Sequence, residues 1–280
     1  MNQNHVRDMN GPSWAELFAG VPWHQEWEVA PGVFTPGRNS VEAILRAVRL
    51  PERLDGYRVL DVGAWNGCFS FECERRGAAE VVAYSLEHPD ETGFSRLKEA
   101  LGSRVRYVQG SVYDLSPDRL GKFDLILFFG VLYHLRYPLL AIDRLRTVSR
   151  GSVLVETHVV RDRFLLRGRR SWLARFVCLS RIFSDTPIWR QYAACELHPR
   201  DRSNWFGPNI PAVIESFESG GFVTEHLSSW GERAGFRATL AVELVERLQN
   251  GSYEGLAAHE VDVGLGERQS PSIFRPIKAA

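Results

Sequence analysis

The sequence has few lysines and no net charge. Among its 34 basic residues only Lys98, Lys122 and Lys278 are lysines, and 34 acidic residues bring the formal charge to zero. A balanced charge provides no strong long-range attraction to nucleic acid. The composition therefore does not favour a protein whose main partner is a polynucleotide.

Cysteine is also scarce, and the cysteines follow no recognised pattern. The four residues (Cys68, Cys73, Cys178 and Cys195) have neither C-x-x-C nor zinc-type spacing. We therefore expect a reduced, cytoplasmic protein. Histidines and acids are never at H-x-x-x-H-like spacing, so no metal is expected. The chain begins with polar residues and has no membrane-length apolar run, which predicts neither a signal peptide nor a membrane span.

Short apolar segments alternate with helical patterns between residues 57 and 158. This alternation predicts an α/β fold with a parallel sheet. The predicted strands cover residues 57–62, 80–84, 104–108, 123–129, 152–157, 222–227 and 237–244. The predicted helices cover residues 13–18, 41–49, 69–76, 91–101, 139–148 and 210–219.

These elements divide the chain into five parts. We expect an N-terminal helical segment with a Pro/Gly-rich loop at 31–37 (residues 1–50), a core (51–158), an inserted cap (159–208), the rest of the core (209–248) and a loosely packed tail (249–280).

A glycine-bearing turn follows the first core strand. It reads Asp61-Val62-Gly63-Ala64-Trp65-Asn66-Gly67, or D-x-G-x-x-x-G. A P-loop would need Gly-Lys-Ser/Thr, and a dinucleotide fingerprint would need G-x-G-x-x-G. A strand, a glycine turn and a helix start together present free backbone N–H groups to a nucleotide or an amino acid.

This turn resembles motif I of the class I S-adenosylmethionine (SAM) methyltransferases, D-x-G-x-G-x-G, with Trp65 in place of the middle glycine. The resemblance implies SAM as cofactor and S-adenosylhomocysteine (SAH) as product. It also implies a Rossmann-like, seven-stranded sheet whose last strand is antiparallel, with N-terminal helices and an inserted cap.

The expected cofactor contacts lie at the carboxyl edge of this sheet. Asp61 would orient the turn, and Glu87, two residues after Ser85, would bind the ribose hydroxyls, unless it is an ordinary surface glutamate. The full expected set is Arg38, Asp61, Gly63, Ala64, Trp65, Gly67, Glu87, Ser111, Val112, Tyr113, Gly130 and Val131.

Three further stretches sharpen the resemblance. GVLYHLRYPLLAIDRLR begins at Gly130, VLVETHVV at Val153 and NWFGPNIPAVIESFESGGF at Asn204. Over roughly residues 20–245 they resemble the wobble-uridine (mo5U34-type) tRNA methyltransferases and their small-molecule relatives. The segment 35–40, TPGRNS, resembles the loop that this group places over the cofactor.

Methyl transfer needs a base only when the acceptor must lose a proton. The best candidate is His134, which follows the fourth core strand, with Glu156 as a second base or as the group that orients His134 and with Tyr133 shaping the site. His24 and His158 are weaker candidates. Each of these residues could instead have a purely structural role.

The insertion is rich in arginine and aromatic residues between residues 161 and 183. This composition fits a mobile lid over an anionic or extended substrate, and it would also fit a tRNA backbone. An amphipathic cap helix with a solvated arginine face is the structural alternative.

Three functions are compatible with these patterns. They are methylation of a small molecule in secondary metabolism or glycan tailoring, modification of a tRNA wobble uridine, and a non-catalytic SAM-fold binding protein. The resemblance implies that the tRNA enzymes hold an extra carboxylate of their cofactor with an N-terminal lysine, yet no lysine precedes Lys98 here. We therefore predict a cytoplasmic enzyme that uses ordinary SAM on a small molecule, either alone or as a homo-oligomer.

Overall fold

The computed structural model describes residues 13–160, 185–198, 201–241 and 243. A seven-stranded sheet forms its centre, with strand order 6-7-5-4-1-2-3. Strands β1 to β7 are Arg58–Val62, Glu80–Ser85, Arg106–Gln109, Phe123–Phe129, Ser149–His158, Phe222–Trp230 and Arg233–Leu240. Neighbouring strands pair in parallel except β7, which is antiparallel to both β5 and β6. The predicted fold class is confirmed.

Helices cover both faces of the sheet. Helices α1 to α7 are Trp14–Phe18, Val41–Ala47, Cys68–Arg75, Phe94–Leu101, Pro117–Leu120, Pro138–Val148 and Ile210–Ser219. Two 3₁₀ turns, Val112–Asp114 and Leu132–His134, follow β3 and β4. Side-chain caps set several starts: the Ser40 hydroxyl accepts from the Ala43 N–H at α2, and the Asn209 amide accepts from Ala212 at α7.

Because both faces are covered, the central strands are apolar along nearly their whole length. One apolar layer joins the sheet to α5, α6 and α7 and contains Leu120, Leu145 and Phe217. The other joins it to α2, α3 and α4 and contains Leu45 and Phe94, among others. Because helices cover both faces of the sheet, a ligand can reach the strands only at an edge. In open α/β sheets the ligand site lies at the carboxyl edge.

The N-terminal segment contains short strands where a loop was expected. Gln25–Glu26 pairs in parallel with Asn39–Ser40, and Glu28–Ala30 forms a hairpin with Val33–Phe34. Within the predicted loop over 31–37 only Val33–Phe34 is a strand, and the Pro31-Gly32 pair makes the turn of the hairpin. Trp27 anchors this segment, because its buried indole N–H donates to the Glu72 carboxylate at 3.0 Å.

The last strand was predicted at 237–244, but it runs from Arg233 to Leu240. Gly231, with φ of +55°, makes a tight turn directly after β6, so pairing starts four residues earlier than predicted. The position matters because Arg233 then enters the sheet.

Within the inserted region, Trp189–Gln191 pairs antiparallel with Phe206–Pro208. The predicted arginine-rich lid (161–183) and tail (249–280) lie outside the described residues. In the described ranges, every helix is too short or too polar to span a bilayer.

Candidate functional site

The turn after β1 packs closely against the turn after β4. Gly63 has φ of +80°, and a Cβ atom added there would lie 2.4 Å from Cγ2 of Val131. Gly130, just before Val131, also has a left-handed φ of +71°. Only glycine fits this conformation and this space at Gly63. No side chain therefore covers the backbone of this residue at the edge of the sheet.

Asp61 fastens β1 to helix α3. Its buried carboxylate accepts from the Ser70 hydroxyl at 2.6 Å. Burial raises the pKa of Asp61 to about 6, although hydrogen bonds from the Ser70 hydroxyl and N–H oppose the rise. Helix α3 begins at Cys68, and the residue before it, Gly67, has φ of +82° and provides no side-chain cap. Asp61 therefore links β1 to helix α3 beneath the turn, and its predicted role in orienting the turn stays a prediction.

Trp65 stands at the position of the middle glycine of the motif that the turn resembles, and its backbone is left-handed. Its φ is +49°, in the left-handed region, and its indole N–H donates to the Pro22 carbonyl at 3.1 Å. The side-chain amide of Asn66 donates to the same carbonyl at 3.4 Å and to Thr92. The Oδ1 atom of Asn66 is buried and has no partner among the described residues. These bonds anchor the turn to the N-terminal segment.

Glu87 lies at the end of β2, held by its neighbours. The Ser85 hydroxyl donates to the Glu87 carboxylate at 2.6 Å, and the Tyr107 hydroxyl donates to the Glu87 carbonyl at 2.8 Å. After β3, the Ser111 carbonyl accepts from the Tyr84 hydroxyl at 2.9 Å. The residue at the expected acidic position, Ser85, thus orients the acid that follows it.

The loop over 35–40 is anchored through its backbone and through Thr35. The buried Thr35 hydroxyl donates to the Gln25 carbonyl at 2.8 Å, and the Arg38 N–H donates to the His24 carbonyl at 3.1 Å. Arg38 is exposed. The His24 ring lies 5.4 Å from the Trp65 ring, which places this loop beside the glycine turn.

A second group of polar residues lies at the ends of β4, β5 and β7. The guanidinium of Arg233 binds the Glu156 carboxylate through two hydrogen bonds, the Nη2–Oε2 one at 2.5 Å, and donates to the Tyr133 hydroxyl at 3.3 Å. Glu156 is buried, and its pairing raises the pKa of Arg233 although burial alone would lower it. The predicted orientation of His134 by Glu156 is not observed, because this carboxylate bonds to Arg233.

His134 instead contacts Ser203, in the last part of the insertion. Its Nδ1 atom lies 2.8 Å from the Ser203 hydroxyl, and that hydroxyl donates to Asp201 at 2.5 Å. The Trp205 N–H donates to the Tyr133 carbonyl at 2.9 Å and holds this segment in place. Burial lowers the pKa of His134, and the nearby Asp201 charge partly offsets that effect. The imidazole is therefore neutral at neutral pH.

His158 is less suited to proton transfer. Its Nε2 atom lies 2.8 Å from the Tyr192 hydroxyl. Burial and the Arg233 charge lower the pKa of His158 to about 4. Its edge-on contact with the Tyr133 ring indicates a role in packing the site.

Sequence reasoning missed three residues of this group. Arg233 was not identified because β7 was predicted to begin at residue 237. Asp201 and Ser203 lie in an irregular part of the insertion, where no periodicity marks them. The D-x-S pattern of Asp201 and Ser203 was the one available local signal, since such pairs often bond to each other.

Comparison with known proteins agrees with this geometry. The model of a family described as a methyltransferase domain matches residues 38–240. The chain is 28% identical over 200 residues to the tRNA U34 carboxymethyltransferase of Dichelobacter nodosus, a match that covers 70% of this chain and 51% of that protein. It is 31% identical over 102 residues to the magnesium-protoporphyrin O-methyltransferase of Rhodobacter capsulatus, covering 36% and 44%. The chain thus spans about half the length of these relatives, or less.

Solved structures show the same fold at low sequence identity. The N-terminal domain of EvdMO1, crystallised in the presence of SAH and D-fucose, has a TM-score of 0.56 at 19% identity and covers 81% of this chain and 93% of that one. The 1,6-didemethyltoxoflavin-N1-methyltransferase of Burkholderia thailandensis has a TM-score of 0.50 at 17% identity, covering 71% and 78%.

Proposed function

Because the chain belongs to the methyltransferase domain family, we propose that it is a SAM-dependent enzyme that methylates a hydroxyl group of a small molecule. The observation that carries the choice of acceptor group is the neutral, oriented imidazole of His134 at the carboxyl edge of the sheet. A hydroxyl loses its proton as it is methylated, and a base within hydrogen-bond reach accelerates that step.

The residues at the sheet edge fit SAM. The bare backbone at Gly63 and the uncapped start of α3 suit the amino-acid part, which carries a carboxylate and an ammonium group. The unpartnered Oδ1 of Asn66 is a hydrogen-bond acceptor suited to the ammonium. The carboxylate of Glu87 is suited to the ribose hydroxyls, with the segment 111–113 beside the adenine. When bound, SAM supplies a methyl group on an electrophilic sulfonium.

The protein's own part in the reaction is orientation and proton transfer. His134 would take the proton of the acceptor hydroxyl, and Tyr133, fixed by Arg233, would shape the wall of the pocket. Glu156 would hold Arg233 rather than act as the base, because both of its oxygens are already hydrogen-bonded to the guanidinium.

Two observations favour ordinary SAM over a carboxylated cofactor. The guanidinium beside Tyr133 is neutralised by Glu156, and no lysine precedes Lys98. An extra carboxylate in this place would compete with Glu156 for Arg233. The formal charge of zero and the absence of the middle glycine favour a small acceptor over tRNA.

The proposal is tested first by calorimetry and then by transfer of label. SAM and SAH should each bind the full-length protein. Tritiated-methyl SAM should then label a compound in a panel of small hydroxylated molecules and leave bulk tRNA unlabelled. Labelling of tRNA would replace the proposed acceptor by the wobble-uridine alternative, and binding without any transfer would favour a non-catalytic protein.

His134→Ala tests the base. With the labelled hydroxyl acceptor at saturation, we expect turnover to fall by about 10²–10⁴-fold and SAM affinity to stay unchanged. His226→Ala, whose ring lies in β6 against Ser228 and Ser229, is the matched control and should keep its activity. Near-normal turnover of His134→Ala would contradict the role of this histidine.

A further inference from the structure

Asp201, Ser203 and His134 form a chain of hydrogen bonds that determines which nitrogen of the imidazole carries the proton. The Ser203 hydroxyl lies between the other two groups, 2.5 Å from Asp201 Oδ1 and 2.8 Å from His134 Nδ1. The Ser203 N–H also donates to Asp201 Oδ1, at 2.8 Å. The carboxylate is therefore fixed on the serine by two bonds.

The direction of each hydrogen bond follows from the donors available. Burial would raise the pKa of Asp201, but the two hydrogen bonds from Ser203 lower it, so this carboxylate is ionised and only accepts. The single hydroxyl proton of Ser203 goes to Asp201, and toward His134 the same oxygen must accept. Nδ1 therefore carries a proton. The Ser203 carbonyl, which can only accept, lies 3.3 Å from the same nitrogen and requires the same assignment.

A neutral imidazole with a proton on Nδ1 has a bare lone pair on Nε2. No described residue hydrogen-bonds to Nε2 of His134. We infer that Asp201 and Ser203 are positioning residues that hold His134 in the Nδ1–H tautomer, so that Nε2 faces the acceptor as the base. Its role in turnover rests on the proposed function.

The proton balance of the step is simple. The acceptor O–H bond breaks and an Nε2–H bond forms, which makes His134 an imidazolium. The electron pair left on oxygen forms the bond to the methyl carbon, and the pair of the broken carbon–sulfur bond stays on sulfur. The Asp201 charge stabilises the imidazolium through the serine, as the acid of a Ser-His-Asp triad does for its histidine.

Other charged groups around His134 set the direction of a pH effect. Arg233 and His198 lower the pKa of the imidazole, and Asp201 raises it. Replacing Asp201 by asparagine removes the negative charge that favours the imidazolium and keeps the unfavourable interactions with Arg233 and His198. The pKa of His134 should then fall, and the acidic limb of the kcat/KM profile should move to lower pH.

Nitrogen-15 NMR of the full-length protein tests the tautomer without any ligand. We expect the wild-type His134 signals of a protonated Nδ1 and an unprotonated Nε2. Ser203→Ala should shift the tautomer population toward Nε2–H, whereas Ser203→Thr keeps a hydroxyl and should keep the Nδ1–H tautomer. The control is Ser152→Ala, at the opposite edge of the sheet beside Thr239, which should not change the tautomer. An Nε2–H tautomer in the wild type, or an unchanged tautomer in Ser203→Ala, overturns the inference.

Kinetics then separate positioning from folding. Ser203→Ala and Asp201→Asn should each lower kcat by about 10–100-fold, as loss of a supporting partner does, with KM for SAM unchanged and with activity restored in Ser203→Thr. A kcat loss without the shift of the pH profile in Asp201→Asn would indicate a structural role only and overturn the inference. Normal turnover of His134→Ala instead overturns the proposed base, while the NMR result still decides the tautomer.

Discussion

Asp61 and Glu156 are both buried carboxylates near the ends of parallel strands, but their surroundings differ. Asp61 is bonded to the neutral Ser70, whereas Glu156 is bonded to the charged Arg233. A neutral donor offsets the desolvation of a carboxylate less than an opposite charge does. Asp61 therefore has a raised pKa. Its ionisation costs free energy in the folded protein, so the stability of the protein should depend on pH.

The pKa of Asp61 is about 6 in the folded protein, against an ordinary value of 3.8. The folded state thus binds the proton more tightly than the unfolded state does. The stabilisation that the bound proton provides is complete below the unfolded pKa of Asp61 and is lost as the pH rises through the folded pKa. The free energy of unfolding falls by about 3 kcal/mol in all. Because asparagine does not titrate, the free energy of unfolding of Asp61→Asn should not show this fall with rising pH. Denaturant titration from pH 4 to pH 7 should show the variant gaining stability relative to the wild type, and parallel curves would contradict the assignment.

Single residues at strand ends could be identified from the sequence, because the carboxyl edge of a parallel sheet is where ligands bind. Gly63, Glu87 and His134 all lie at that edge. Their partners could not be identified in the same way. Ser203 is 69 residues from His134 and Arg233 is 100 residues from Tyr133, and no local pattern links such positions.

At the scale of elements, the turn between β1 and α3 is defined by contact with the turn after β4. Gly63→Ala adds a methyl group at φ of +80° and 2.4 Å from Val131. The left-handed conformation alone costs about 1–2 kcal/mol for alanine. We expect lower stability and weaker SAM binding by calorimetry.

The double variant Gly63→Ala with Val131→Ala is the control for the clash. It should recover part of the loss, because the methyl contact is relieved and the backbone strain is not. No recovery would mean that the two turns do not share this space.

The Arg233–Glu156 ion pair joins the side chains of β7 and β5 at the carboxyl edge of the sheet. Arg233→Met leaves a buried charge without its partner, which should lower the free energy of unfolding by about 3–5 kcal/mol. The double variant with Glu156→Gln should lose less. Arg150→Met breaks the more exposed pair with Asp124, which solvent screens, and should lower the free energy of unfolding far less. Equal losses for both arginines, in chemical denaturation, would contradict the argument.

Long, regular elements were predictable and turn-defined ones were not. The bounds of β4 and α7 agree with the predictions, because each has a strong apolar pattern between clear breaks. The start of β7 was misplaced because its first residues, Arg-Ala-Gly, have low strand propensity. Pairing with β5 on one side and β6 on the other overrides that propensity.

At the scale of the whole molecule, the N-terminal segment is part of the core. Trp27 is buried and bonded to Glu72 in α3, and Pro22 accepts from both Trp65 and Asn66. Trp27→Ala should lower stability by about 3–5 kcal/mol and weaken SAM binding, because the turn loses its support. Phe34→Ala, in the same hairpin but 51% exposed, should have little effect. Thermal denaturation with and without SAM would measure both effects, and identical shifts for the two variants would refute them.

The order of the site residues along the chain is also the order in which they are synthesised. During synthesis the glycine turn and Glu87 emerge early, and the residues that orient His134 emerge only with Asp201 and Ser203. Arg233, which holds Glu156 and Tyr133, comes later still, 77 residues after Glu156. A growing chain therefore contains the residues proposed to bind SAM well before it contains those proposed to orient the base, so the proposed reaction needs the chain up to at least Arg233.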